Sequence, residues 1–304
     1  MTLASCDSRK TAGENPFFTE WDTPHGVPPF DKILPEHFMP AFERGMSLHE
    51  AEIDAITSNK DEATFENTIL AYDDAGQMLA QTELVFGMLC AAETNDRMQA
   101  LQEQAMPLLA AHRDKIRLDD KLFVRVKEVY DRRAALGLDA EQMRLLQKTY
   151  DSFVRAGALL DAEQKARLKE INGQLSLTAV KFGNNILAEN NNFVLELKSD
   201  ELDGLPAGIR DAAREKAQQM GKGDKWVFTL HKPSLIPLLT YSTRRDLREK
   251  IYKAYLNRCN NGDEYDNKQL INDFIRLRTE KAHLLGYPSY AAYVVDDEMA
   301  GTTD

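Results

Sequence analysis

Residues 139–192 read "DAEQMRLLQKTYDSFVRAGALLDAEQKARLKEINGQLSLTAVKFGNNILAENNN", and the spacing of their apolar side chains decides the fold class. Leu168, Ile171, Leu175 and Phe182 recur at helical intervals, so they line one stripe of a helix and not alternate faces of a strand. The stretch predicts two amphipathic helices, the second opening near Asp161, with the asparagine-rich run 184–192 ending it.

Just beyond, the period changes. "NNFVLELKSDELDGLP" and "KWVFTLHKPSLIPLL" place Phe193, Leu195 and Leu197, then Trp226, Phe228 and Leu230, at every second position. That alternation predicts two short strands, flanking a helix over "AGIRDAAREKAQQMG". Helices resume at "STRRDLREKIYKAYLNR", with Ser242 as the expected cap, and at "DEYDNKQLINDFIRLRTEKAHLLG".

Toward the N-terminus the pattern is again helical. "AFERGMSLHEAEIDAI" carries Phe42, Met46, Ile53 and Ile56. The stretch 64–93 opens with Thr64 as N-cap and Asn67 three residues on, a relative of the capping box. The stretch 94–118 starts from Asn95 or Asp96, with Pro107 as its one internal break, and 119–138 ends at Gly137. Residues 15–40, "NPFFTEWDTPHGVPPFDKILPEHFMP", hold too many prolines for a long helix and too many aromatics for a solvated linker. They predict an extended arm packed on a helical body. The expected class is all-α, mainly helical, with one small β element near residues 193–230. No repeat of fixed period is present, which excludes a regular solenoid.

The 304 residues are 43% hydrophobic and 29% charged, a globular composition with room for a substantial core. A formal charge of -11 argues against a nucleic-acid partner, and no apolar run suits a transmembrane helix. Cys6, Cys90 and Cys259 form no disulfide framework or CxxC pair. Leu3-Ala4-Ser5-Cys6 resembles a bacterial lipobox, but too few residues precede it for a signal peptide. A trimmed lipoprotein leader would place the protein in a bacterial periplasm or envelope; a chance match leaves it cytoplasmic. Residues 1–14 read as a flexible leader in either case.

No constellation carries obvious chemistry. The nearest approach to a helical zinc motif is "LHEAEI", where His49 and Glu50 fit but Ile53 takes the second histidine's place. His49 and Glu50 therefore read as a solvated helix edge. His283 suits the negative end of its helix. Arg244, Arg245 and Arg248 could bind an anion, but Asp246 and Glu249 lie among them, and mutual ion pairing is the expectation. Asp263, Glu264 and Asp266 do not single out an acid/base pair in so acidic a chain. In "RLRTEKAHLLGYPSYAAY", residues 276–293, Gly286 and Pro288 stop a helix. Tyr287, Tyr290 and Tyr293 then share one face, either packed or lining a cleft. No catalytic, cofactor-binding or metal-ligating residue is expected in this chain.

Taken together, "NPFF", "HFMPAFERGM", "TFENTILAYDDAG", "KWVFTLHKPSLIPLLTYSTRRDLREKIYKAY" and "LRTEKAHLLGYPSYAAYVVDDEMAGT" resemble the thimet-oligopeptidase-like zinc metallopeptidases, and the bacterial peptidyl-dipeptidases in particular. The resemblance runs in the family's order from residue 15 to 303. It implies two helical halves around a channel that admits short peptides, and a zinc held by an HExxH helix plus a downstream glutamate. Those ligands lie after the matched part, so the resemblance implies a catalytic half beyond these residues and no activity in this chain alone. It also implies a channel-wall domain over 15–241, the start of the catalytic domain over 242–304, and a monomer. A thimet-type endopeptidase, or a helical peptide-binding protein without catalysis, are the alternatives.

Overall fold

The computed structural model describes residues 14–304; the Cys6 motif lies outside them. The described residues form two compact units, one of residues up to 177 with 278–304, the other of residues 178–277. The mainly helical expectation with one small β element is borne out. Among the described residues no helix is long and apolar enough to cross a membrane.

In the first unit the proline-rich arm folds into three 3-10 turns, Pro16–Phe18, Pro24–Gly26 and Pro35–His37. It is pinned by Asn15, whose side-chain amide donates to the His37 carbonyl at 2.8 Å, and by Trp21, whose indole N–H reaches the Pro16 carbonyl at 2.8 Å. Phe17 is buried against Phe38, which meets Phe86 edge-on at 4.9 Å, while Phe42 meets Phe86 at 5.3 Å. Burial of each such ring contributes about 1.5–3 kcal/mol, which is why the arm packs.

Helix α1, Phe38–Ser58, begins before Pro40, not after it. Proline in a first turn costs little, because that N–H has no intrahelical partner. Thr64 and Asn67 form the expected reciprocal cap, at 2.8 and 3.1 Å. The single helix expected over 64–93 is divided: a π-helical turn, Phe65–Leu70, runs into α2, Ala71–Asp73, and α3, Gln77–Ala92, starts afresh. Glu52 of α1 stabilises the break by accepting the Gly76 N–H at 2.7 Å. Helix α4, Asp96–Arg117, is capped by Asn95 and continues through Pro107; burial of Ala105 before the proline and of Leu109 and His112 after it outweighs the lost hydrogen bond.

Asp119 caps α5, Asp120–Asp131, and Asp139 with Gln142 caps α6, Ala140–Arg155. A second core joins Ile53, Ile69, Leu122, Val126, Leu146 and Phe153. Helix α7, Ala162–Asn192, and helix α11, Lys268–Leu284, each contribute residues to both units. The asparagine run does not stop α7 at its start; the helix persists to Asn192, with Asn185 Nδ2 donating to Asn267 Oδ1 at 2.8 Å.

The second unit holds the β element. Strands β1, Leu195–Leu197, and β2, Trp226–Phe228, pair antiparallel with Leu195 opposite Phe228 and Leu197 opposite Trp226. Helix α8, Ala207–Gln219, connects them, and α9, Lys232–Tyr241, follows. Leu195, Leu197, Phe228, Leu238 and Ile251 make the core. Ser242 does not cap α10, Arg245–Leu256, directly: it closes α9, and Arg244 takes the N-cap position. The Ser242 hydroxyl accepts the N–H of Arg244 itself at 3.3 Å, so it braces the N-cap residue and not a donor of the first helical turn.

Candidate functional site

The tyrosine corner is built from the end of α11. Gly286 adopts φ +84°, the Gly286 N–H donates to the His283 carbonyl at 3.0 Å, and the Tyr287 N–H donates to Ala282 at 2.9 Å. These two bonds are the Schellman pair that satisfies otherwise orphaned carbonyls. Ser289 then caps α12, Tyr290–Val295, accepting from the Ala292 N–H at 3.1 Å.

This turn brings the three tyrosines together. Tyr287 and Tyr293 meet edge-on at 5.2 Å, and Tyr290 lies 5.8 Å from Tyr293. Arg155 of α6 fastens them. Its guanidinium sits 4.7 Å from the Tyr293 ring, donates to the Tyr293 carbonyl at 2.7 Å and to the Tyr287 hydroxyl at 3.2 Å, and pairs with Asp296 at 2.6 Å. Burial raises the pKa of both Tyr287 and Tyr293, the Tyr287 hydrogen bond to Asp296 adding to it. Both phenols are protonated at neutral pH, and that of Tyr287 donates to Asp296 at 2.8 Å. The corner is a packed cluster fixed by a cation.

Beneath it lies a polar relay that local spacing did not reveal. Lys281 Nζ donates to Asn172 Oδ1 at 2.7 Å, and Asn172 Nδ2 donates to Asp114 Oδ1 at 2.8 Å. Burial lowers the Lys281 pKa and raises that of Asp114. Nearby, Arg167 grips Glu280 through two parallel bonds of 2.6 and 2.8 Å. Asp114, Asn172 and Arg155 are not legible as a group in the sequence, because their partners are far away along the chain.

The reading of His49 and Glu50 as a solvated edge is corrected. His49 Nδ1 lies 3.1 Å from Nε2 of the buried His112, Glu50 lies 3.5 Å from His112 Nδ1, and Lys115 pairs with Glu50 at 2.8 Å. The cause is the packing of α1 against α4, which no spacing within "LHEAEI" encodes. His283 stands in the last turn of α11, its Nε2 3.3 Å from the Pro288 carbonyl.

Of the arginine cluster, Arg244 pairs with Asp246 at 2.7 Å, and Glu249 turns to Lys253 at 2.6 Å. Arg248 instead donates to the Ser242 carbonyl at 2.5 Å. Asp266 accepts the Gly262 and Lys268 N–H groups at 2.8 and 2.9 Å and pairs with Lys268, which together hold its carboxyl down at about 2; Asp263 accepts from the Tyr265 N–H. These carboxylates organise a turn. Burial pushes the Cys90 thiol up to about 11, and burial together with Glu189 does the same to Cys259, so neither offers a thiolate at neutral pH.

The metal that the resemblance implies does not fit these residues. A catalytic zinc needs three protein ligands, and among the described residues no three His, Cys, Asp or Glu side chains are grouped to hold an ion. His49 and His112 engage each other, and Glu50 faces the opposite ring nitrogen of His112.

Comparison with known proteins completes the picture. Residues 238–304 match the model of peptidase family M3. Dipeptidyl carboxypeptidase of Escherichia coli is 36% identical over 95% of this chain and 43% of its own length. The Salmonella typhimurium dipeptidyl carboxypeptidase is 35% identical over 95% and 42%. Oligopeptidase A of Escherichia coli is 26% identical over 91% and 42%. The chain thus spans about two fifths of the length of the curated relatives it matches.

Proposed function

We propose that this chain, which matches peptidase family M3 over residues 238–304 and is 36% identical to dipeptidyl carboxypeptidase over 95% of its length, forms the N-terminal part of a zinc-dependent peptidase that releases C-terminal dipeptides from short peptides. The observation that carries this reading is the 36% identity to dipeptidyl carboxypeptidase. The zinc site and the reacting groups are assigned to the part of the protein beyond these residues. Support for that assignment is that these residues cover 43% of the length of the dipeptidyl carboxypeptidase they match. The role of this part is to supply a rigid helical wall and the corner at Gly286–Asp296, held by Arg155 and the Lys281 relay.

A second reading, cleavage within short peptides, is favoured by the match to oligopeptidase A at 26% identity. One experiment separates the two. The full-length protein and the 304-residue chain are incubated with a peptide carrying a free carboxyl terminus and with its amidated form, and the products are weighed by mass spectrometry. Chelator-sensitive release of dipeptides from the free form by the full-length protein alone is the expected result. Internal cuts in the amidated peptide would establish the second reading. Turnover by the 304-residue chain alone would overturn the assignment of the zinc site elsewhere.

A further inference from the structure

A hollow of about 390 Å³ on the second unit is lined by Leu239 of α9 and by Arg245, Arg248, Glu249, Tyr252 and Lys253 of α10. Positions 245, 248, 249 and 252 follow the three-and-four spacing that puts side chains on one helical face. Three cations here stand beside one carboxylate, in a chain whose formal charge is -11. A local ion pair cancels one of them, Lys253, and leaves two. Glu249 is engaged by Lys253 at 2.6 Å, and Asp246 is held by Arg244 through bonds of 3.0 and 2.7 Å. Neither Arg245 nor Arg248 makes a direct ion pair among the described residues, although Glu249, held down chiefly by Lys253, also feels the Arg245 charge.

Arg248 is also preorganised. Its Nη1 donates to the Ser242 carbonyl at 2.5 Å, at the junction where Thr243 is tied to Asp203 by backbone and side-chain bonds of 3.1 and 2.5 Å. That contact uses one of five guanidinium N–H groups and leaves a planar edge free to meet an oxyanion. Tyr252, half exposed at 51%, and Leu239 supply an aromatic and an aliphatic surface beside that edge.

We propose that this hollow is a binding site for a small oxyanion carried on a flat apolar body, with Arg245 and Arg248 receiving the carboxylate or phosphate and Tyr252 and Leu239 receiving the body. The site is independent of the peptidase reading, since it needs neither a metal nor the rest of a channel.

The test is calorimetric titration of the full-length protein with benzoate, phenyl phosphate, the neutral analogue benzamide, and inorganic phosphate. One-site binding of benzoate or phenyl phosphate is expected, weakened by added salt, and tighter than benzamide by about tenfold or more. The benzoate-to-phenyl-phosphate ratio identifies which oxyanion the site prefers. Arg245→Gln, an exposed change that leaves the Ser242 contact in place, should lower affinity about tenfold with an unchanged melting temperature. Tyr252→Ala should bring phenyl phosphate down to the affinity of inorganic phosphate. Equal binding of benzoate and benzamide, or undiminished binding by Arg245→Gln, would overturn the proposal. Inorganic phosphate binding as tightly as phenyl phosphate to the unaltered chain would overturn the role given to Tyr252.

Discussion

His49 and His112 form a hydrogen-bonded imidazole pair across α1 and α4, Nδ1 to Nε2 at 3.1 Å, and only one of the two nitrogens can carry the proton between them. Burial lowers the pKa of each below 6.5; the His112 charge lowers His49 further, while Glu50 opposes the shift at His112. Glu50 and Glu52 of α1 and Lys115 and Arg113 of α4 are the charged groups facing the pair. A histidine depressed in the folded state binds protons more readily when unfolded, so its contribution to stability is complete above pH 6.5 and is lost as pH falls through the folded value. Thermal melts should therefore show the melting temperature dropping between pH 7 and pH 5. His112→Gln keeps a polar partner for His49 but removes one titrating ring. It should melt lower at pH 7 and show a shallower drop toward pH 5. An unchanged slope in the variant would assign the acid sensitivity to other groups.

Gly204 adopts φ +81°, and a Cβ there would fall 2.2 Å from the Tyr241 carbonyl oxygen. Gly137 has φ +65° with open space where its Cβ would lie. Both alanine replacements incur the left-handed backbone penalty of about 1–2 kcal/mol. Only Gly204→Ala must also push apart the α9 terminus and the loop before α8. Urea titration should place Gly137→Ala near that penalty and Gly204→Ala about 2 kcal/mol or more beyond it. Equal costs would show that the loop at 203–205 yields freely.

The contrast between those two glycines also shows what sequence could and could not convey. Features set within a few residues were legible: the Thr64–Asn67 cap, the Asn95 cap, the strand alternation around Leu195 and Phe228, and the Gly286 stop all follow from local chemistry. Helix extent was less so. Pro40 falls inside α1 and Pro107 inside α4 because first-turn tolerance and tertiary packing each override proline's local rule. The break at Gly76 needed Glu52, twenty-four residues earlier. Side-chain partnerships across helices were not legible, and the His49 reading failed for that reason: His112 is sixty-three residues away.

Arg155 is the residue on which the tyrosine corner depends. It is largely buried, with its side chain 17% exposed, and it bonds the corner through the Tyr293 carbonyl of α12, the Tyr287 hydroxyl before it and Asp296 just after it. Arg155→Leu fills much of the volume but leaves the Tyr293 carbonyl and Asp296 without their charged donor. A loss of about 2–3 kcal/mol is expected. Hydrogen exchange localises it: amides of residues 290–295 should lose protection while those of α5 keep theirs. Uniform loss across the first unit would make Arg155 a general packing residue.

Lys281 and Asp114 present the opposite case, in which the charged forms are disfavoured by burial. The Lys281 pKa is lowered and the Asp114 pKa raised, and Asn172 bridges them with bonds of 2.7 and 2.8 Å. For a lysine depressed in the folded state, the unfolded chain binds the proton more tightly, so deprotonation on raising pH toward 10.5 relieves a native-state penalty. Removing the charge should therefore be cheap, and removing the bridge should be costly. Lys281→Met preserves the stem and should change stability by less than about 1.5 kcal/mol at pH 7. Asn172→Leu leaves Lys281 and Asp114 without their shared amide and should cost about 3 kcal/mol or more. The double variant, Asn172→Leu with Lys281→Met, should recover part of that loss, because one of the two stranded charges is gone. Denaturant titrations of the three proteins decide it. If Lys281→Met costs as much as Asn172→Leu, the ammonium itself holds α11 in place, and the relay is a true buried ion pair acting through the amide.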